Sequence, residues 1–245
     1  MKHFPKLFLD SLPGTVLTTE SLKSMGITPQ LAHYYIKQNW IISLGNGAYL
    51  RQNDHPLWVS ALSTVEARGT EVYVGGGPSL DLLGFNQNIA FGKPFVHLFT
   101  TPAARLPKWF LSYDFGATLH VTRTFKYSET NLMRHRAMGF SFNISKPEQA
   151  ILEVCRHVPK LYTFENLRNY MESMISLNPT TMQTMLEKAE SIKEKRLFLY
   201  TASTLNHSWY EKLNLEKIYL GKGPRQIVEE GVYNSEFNIL LPKGF

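Results

Sequence analysis

The chain has 245 residues, of which 43% are hydrophobic, 13% aromatic and 19% charged. That is ample material for one or two packed domains and too little charge for a disordered or coiled-coil chain. One cysteine excludes a disulfide scaffold and a four-thiolate zinc site and fits a reducing compartment. Lys+Arg 26 against Asp+Glu 20 leaves +6, a modest pull toward a polyanionic partner. Pro5 and Asp10 interrupt any signal-like apolar run near the start. Nowhere do about 18 apolar residues run together. The expectation is a cytoplasmic protein with no membrane partner.

In chain order, Phe4, Leu7, Phe8 and Leu12 recur at helical spacing until Pro13-Gly14 stops them. Thr15-Val16-Leu17 is a short extended piece. Thr18 or Thr19 then caps a helix that turns Leu22 and Met25 inward and ends at Gly26. Thr28-Pro29 restarts a helix, with a hydroxyl cap followed by proline at the first helical position, and this one runs to about Asn39. Trp40–Leu44 and Ala48–Arg51 read as two strands around the tight turn Gly45-Asn46-Gly47. The polar cluster 52–56 marks the boundary between a first domain, residues 1–53, and a second, residues 54–245.

The second part is mixed. Leu57–Arg68 reads as helix and Glu71–Val74 as strand; Gly75-Gly76-Gly77 leads into a helix from Pro78 to Leu83. Strands are expected at Phe95–Thr100, Thr118–Thr124 and Phe140–Ile144. Ser145 and Glu148 have the spacing of a capping box. Helices beginning at Pro147, Thr163, Pro179 and about Lys193 make a helical array, and Phe237–Leu241 is a last strand. The fold class is therefore α+β: an N-terminal winged helix-turn-helix, then a larger mixed α/β domain with a helical array.

The helix after Thr28 faces two ways. Leu31, Ala32, Tyr35 and Ile36 form an apolar stripe at 100° per residue, while Gln30, His33, Tyr34 and Lys37 share the opposite face. Two short helices, a glycine turn and a following hairpin make the order of a winged helix-turn-helix. Gln30 suits an adenine edge, His33 and Tyr34 reach bases or phosphates, and Lys37 neutralises a phosphate. On the wing, Asn46 and Arg51 are candidate backbone contacts. A solvated polar face and a plain hairpin are the alternatives for these same residues.

Leu12-Pro13-Gly14, the helix pair through Tyr35 and Leu44-Gly45-Asn46-Gly47-Ala48-Tyr49 resemble the N-terminal winged helix of the AbiEi family of antitoxins. Val72-Tyr73-Val74-Gly75-Gly76 with Leu80, Leu83 and Gly84 is similar to that family's second domain. So are Arg105-Leu106-Pro107 with Trp109-Phe110, Ser145 through Ile151-Leu152-Glu153, and Lys195-Arg196-Leu197-Phe198-Leu199. The resemblance implies a bicistronic toxin–antitoxin system. Its winged helix would repress the protein's own promoter on double-stranded DNA. Its C-terminal domain would counter a nucleotidyltransferase-like toxin, with no stable complex assumed.

The rival is a nucleotidyltransferase-related or nucleotide-binding domain at Gly75–Asp81, since glycine-rich turns before helices cradle phosphates. No Gly-Lys-Ser/Thr follows, and Phe95–Phe99 lacks the acidic pair that magnesium requires. The eight histidines are dispersed without helical pairing, so no metal site, no cofactor and no catalytic residue are expected. Cys155 shares a stripe with Ile151, Leu152 and Val158, which suits a buried small hydrophobe. Residues 101–140 hold six basic residues, Arg105, Lys108, Arg123, Lys126, Arg134 and Arg136, against Asp114 and Glu129. They form a possible secondary basic surface, and Lys193, Lys195 and Arg196 with Lys222 and Arg225 form further ones.

Overall fold

A computed structural model describes residues 11–85, 92–124 and 129–245. The first group of elements is β1 (Leu17–Thr18), α1 (Thr19–Ser24), α2 (Pro29–Lys37), β2 (Ile41–Gly45) and β3 (Ala48–Arg51). Thr18, rather than Thr19, caps α1: its hydroxyl accepts from the Ser21 N–H at 3.0 Å, and Ser21 Oγ accepts from the Thr18 N–H at 2.7 Å. Thr28 caps α2, accepting from the Leu31 N–H at 3.2 Å, with Pro29 in the first turn. The strands order as β1-β3-β2, with Leu17 opposite Tyr49 and Ile41 opposite Arg51. Leu17, Leu22, Ile27, Ala32, Tyr35 and Ile41 close a small core beneath the two helices. The helix expected at Phe4–Leu12 falls, apart from its end, outside the described residues.

Next come α3 (Trp58–Ala67), β4 (Val72–Val74), α4 (Gly76–Leu82), β5 (Phe95–Thr100), α5 (Lys108–Ser112), β6 (Thr118–Arg123), β7 (Leu132–Ala137) and β8 (Phe140–Ser145). The five strands form one sheet in the order β6-β5-β4-β8-β7. β5 and β6 are parallel, Phe95 opposite Thr118 and Thr100 opposite Arg123. β7 and α5 were not expected from the sequence. β7 is a basic edge strand joined to β8 through Met138 and Gly139, both at positive φ (52° and 86°), the twist a two-residue hairpin turn requires.

The array consists of α6 (Pro147–His157), α7 (Phe164–Ser173), α8 (Pro179–Lys188) and α9 (Ile192–Thr204). β9 (Arg225–Gln226), β10 (Val232–Asn234) and β11 (Ile239–Leu241) follow, with β11 central, antiparallel to β10 and parallel to β9. Ile151, Leu167, Met171, Phe198 and Trp209 belong to its buried core. Cys155 is fully buried there, and burial with the nearby Glu194 charge pushes its thiol far up, which makes it inert. The expected capping box at Ser145 is corrected. β8 carries Ser145 into the sheet, so Lys146 becomes the cap residue, and Glu148 instead accepts from the Asn178 N–H at 3.1 Å.

By internal contacts the chain forms two units. Residues Met1–Tyr73 with Ala90–Ile144 make the first, which holds the winged helix and most of the sheet. Val74–Ile89 with Ser145–Phe245 make the second, which holds α4 and the helical array.

Candidate nucleic-acid interface

On α2 the apolar stripe is inward as expected: Ala32 and Tyr35 are buried and Leu31 and Ile36 half-buried. Gln30, His33, Tyr34 and Lys37 are all exposed on the other face. Tyr34 stands edge-on to Trp40, with ring centroids 6.2 Å apart and planes at 84°, and Trp40 stacks obliquely on buried Tyr35 at 5.1 Å. The Tyr34 ring is thus braced from below, so it has less side-chain freedom to lose on binding than an unsupported exposed ring.

The wing is short. Gly45, Asn46 and Gly47 all have positive φ (94°, 49° and 67°), so the tip is a run of left-handed residues that glycine and asparagine tolerate. Asn46 is exposed there. Arg51 is not free on the surface: its Nε donates to Asp54 Oδ2 at 2.8 Å, and Asp54 Oδ2 also accepts from the Gly14 N–H at 3.0 Å. Only 14% of the Arg51 side chain is exposed, so its visible role is to tie the wing's last strand to the chain entering the head. Two residues escaped the sequence reading. Lys23 is exposed in the last turn of α1, ahead of α2. Arg68, just past α3, reaches back to the wing tip. Arg68 carries no local signal, because its partners are 21 to 48 residues away.

The described basic residues between 105 and 136, which are Arg105, Lys108, Arg123, Arg134 and Arg136, do not all converge. Arg105 and Lys108 are exposed beside α5, which packs against α3 and the wing strand β2. Arg123 donates to the carbonyl of Ala104 at 2.9 Å and of Thr101 at 3.3 Å, closing the loop that leads to Arg105. Arg134 and Arg136 sit on β7, the opposite edge of the sheet, four strand spacings or about 19 Å away. Arg134 is engaged by Glu66 at 2.6 Å and by the Ser141 carbonyl at 2.8 Å, and Lys126 lies outside the described residues. Thus Arg105, Lys108 and Arg123 lie about one loop and the helix that follows it, while Arg134 and Arg136 are on the far edge of the sheet. The further patch at Lys193–Arg196 is corrected as well. Lys195 and Arg196 are 2% and 1% exposed, and Arg196 donates to the carbonyls of Leu220, Gly223 and Asn238 at 2.7–2.8 Å. Lys193 is bonded to the carbonyls of Arg156 and Val158. These three cations build the array's interior instead of presenting charge.

The glycine run, which lies at the start of α4 because the helix expected from Pro78 begins at Gly76, is occupied from within the second unit. The Gly76 N–H donates to Glu153 Oε2 at 2.7 Å, and the Gly77 N–H donates to Tyr162 Oη at 3.1 Å. Glu153 also accepts from Ser145 Oγ and Gln149 Nε2, each at 2.8 Å. A buried carboxylate thus stands where a phosphate would sit in a nucleotide site. Among the described residues no group of His, Cys, Asp or Glu has the arrangement of a metal site. The histidines are less scattered than the sequence suggests, since the parallel register puts His97 beside His120, rings 5.2 Å apart, with His97 Nε2 2.7 Å from Thr122 Oγ1. Among the described residues, no helix is long and apolar enough to cross a membrane.

Two short helices packed on a three-stranded hairpin sheet, with a polar second helix, define a winged helix-turn-helix. The fold is similar to that of the RV2827C protein from Mycobacterium tuberculosis, with a TM-score of 0.67 at 14% identity over 92% of this chain and 86% of that one. No curated protein matches the chain. Residues 1–91 match the family described as transcriptional regulator, AbiEi antitoxin N-terminal domain, and residues 93–242 match transcriptional regulator, AbiEi antitoxin, type IV TA system. The chain belongs to the AbiEi family of antitoxins and transcriptional regulators of type IV toxin–antitoxin systems.

Proposed function

We propose that this chain is a cytoplasmic DNA-binding autorepressor. It binds double-stranded DNA at its own promoter through the winged helix and counters a nucleotidyltransferase-like toxin through its C-terminal domain without acting as an enzyme. The observation that carries the reading is the exposed face Gln30, His33, Tyr34 and Lys37 on a helix whose other face is buried. Gln30 offers an amide to an adenine edge, while Lys37 and the flanking Lys23 offer charge to phosphates. Asn46 on the wing, with exposed Arg105 and Lys108 at α5, which packs against wing strand β2, would widen the same footprint. Arg51, held by Asp54, contributes by fixing the wing strand.

The enzyme alternative is disfavoured by Glu153, which fills the one glycine-rich helix start the sequence offered for a phosphate. A thermal-shift series with nucleotides and magnesium separates the two, because a ligand that binds the native state raises its stability. The direct test is a salt-titrated gel shift of the full chain on the DNA upstream of its own gene, against scrambled DNA of equal length. Preferential binding that Gln30→Ala and Lys37→Ala weaken supports the repressor. Equal, weak binding to both DNAs refutes it. For the antitoxin role, co-expression with the neighbouring gene product should restore growth, and failure to restore it removes that role.

A further inference from the structure

The wing tip is fastened at both of its outward carbonyls. Arg68 Nη1 donates to the Asn46 carbonyl at 3.1 Å and Nη2 to the Gly47 carbonyl at 3.0 Å. The same Nη2 pairs with Glu20 Oε2 at 3.2 Å, in the first turn of α1. The Thr19 N–H donates to the Gly47 carbonyl as well, at 2.9 Å. The tip lies so close to α1 that a Cβ on Gly47 would stand 2.6 Å from Thr19 Oγ1. A guanidinium suits this task because its planar fork spans two carbonyls and a carboxylate at once, which a point-charge ammonium does not. A quarter of the Arg68 side chain is exposed, and its guanidinium is already engaged by two carbonyls and a carboxylate.

We infer that Arg68 is a positioning residue for DNA recognition: it locks the wing turn onto α1, so that Asn46 is held at a set distance from the recognition face of α2, without touching DNA itself. The inference rests on the DNA-binding reading above. Three successive left-handed residues would otherwise sample many tip conformations, and the ordering cost would fall on the binding step. Because Asn46 is uncharged, losing its contact weakens binding without changing how many phosphates are neutralised. That separates positioning from direct contact, since each lost phosphate contact lowers the salt slope by about 0.9.

The test uses the full-length double variant E20Q/R68A, which removes the ion pair at constant net charge, beside R68K and wild type. Amide hydrogen exchange at residues 45–48 in the free protein reads the clamp, and salt-titrated gel shifts on promoter DNA read its consequence. In the double variant we expect exchange at the tip to rise at least about tenfold. Promoter affinity should fall about tenfold, the worth of one hydrogen bond to a charged acceptor, with the slope unchanged. R68K, lacking the fork, should follow the double variant; if it binds like wild type, charge alone suffices and the inference is wrong. A slope lowered by about one with unchanged exchange means Arg68 contacts phosphate directly, and this also overturns it. If wild type shows no preference for its promoter, the DNA reading fails and this role with it, while the exchange data still report whether the clamp exists.

Discussion

Gly77→Ala sets two effects of opposite sign against each other. Gly77 lies in the first turn of α4 with no left-handed torsion, so helix propensity alone favours alanine by about 1 kcal/mol. Packing argues the other way. A Cβ there would stand 2.8 Å from Tyr162 Cε1 and 2.8 Å from Tyr170 Oη. Both tyrosines are buried, at 5% and 7% exposure, and both are tethered: Tyr162 Oη accepts from the Gly77 N–H at 3.1 Å, and Tyr170 Oη donates to Asp81 Oδ1 at 2.8 Å. Rigid rings cannot yield as a flexible side-chain end would. Overpacking of this kind costs about 1–3 kcal/mol and a displaced hydrogen bond about 1 more. After the propensity gain the net loss is about 1–3 kcal/mol. For a chain of this length that lowers the melting temperature by roughly 3–10 °C. A thermal melt followed by near-ultraviolet circular dichroism reads it through the loss of fixed aromatic packing. A variant that melts at or above wild type would refute the packing argument and reopen the glycine loop as a cradle left clear for a ligand.

Four further outcomes are expected. Lys37→Ala should weaken binding on all DNA sequences and reduce the salt slope by roughly one unit; an unchanged slope in gel-shift titrations removes Lys37 from the interface. Gln30→Ala should relax the preference at one base position at a cost of about 1–3 kcal/mol, measured against a panel of single-base operator variants. Glu66 is pushed above its ordinary value because burial outweighs the Asn143 N–H and the Arg134 guanidinium, whose side chain is 57% exposed and screened. The folded state therefore takes up this proton at higher pH than the unfolded chain. Its stabilising contribution is complete below the unfolded pKa and disappears as pH rises through the folded one, so the melting temperature of wild type relative to Glu66→Gln should decline upward from about pH 4.5; a rising difference would reverse the sign. Arg196→Met should destabilise by about 3–5 kcal/mol, since the carbonyls of Leu220, Gly223 and Asn238 lose a buried donor, and limited proteolysis should then open residues 219–241 first.

Parts of this molecule are legible locally. Thr28-Pro29 announces a helix start because a cap hydroxyl and a proline act within three residues, and the structure has both. The Gly45-Asn46-Gly47 turn is equally local, since left-handed torsions are a property of those residue types. The two faces of α2 follow from helical periodicity alone. β7 escaped because its alternation is carried by Arg134 and Arg136, polar residues that an edge strand tolerates and a pattern search discounts. Ser145 misled because the cap signature and the end of a strand compete for the same residue, and sheet pairing won.

By itself, the sequence determined the element types in the head, the exposed polar face of Gln30, His33, Tyr34 and Lys37, the buried Cys155 stripe and the family to which the whole chain belongs. Each depends on residue chemistry within a turn or two, or on a pattern carried in order along the chain. Tertiary structure alone decided which charges are available. Arg51 is taken by Asp54, Arg68 by the wing tip, Arg134 by Glu66 and Arg196 by three distant carbonyls, while Arg105 and Lys108 stay exposed. It also filled the glycine loop with Glu153, 77 residues away from Gly76. The physical reason is that a cation's worth at an interface depends on what already neutralises it. That partner is chosen by packing across the fold, where no local pattern records it.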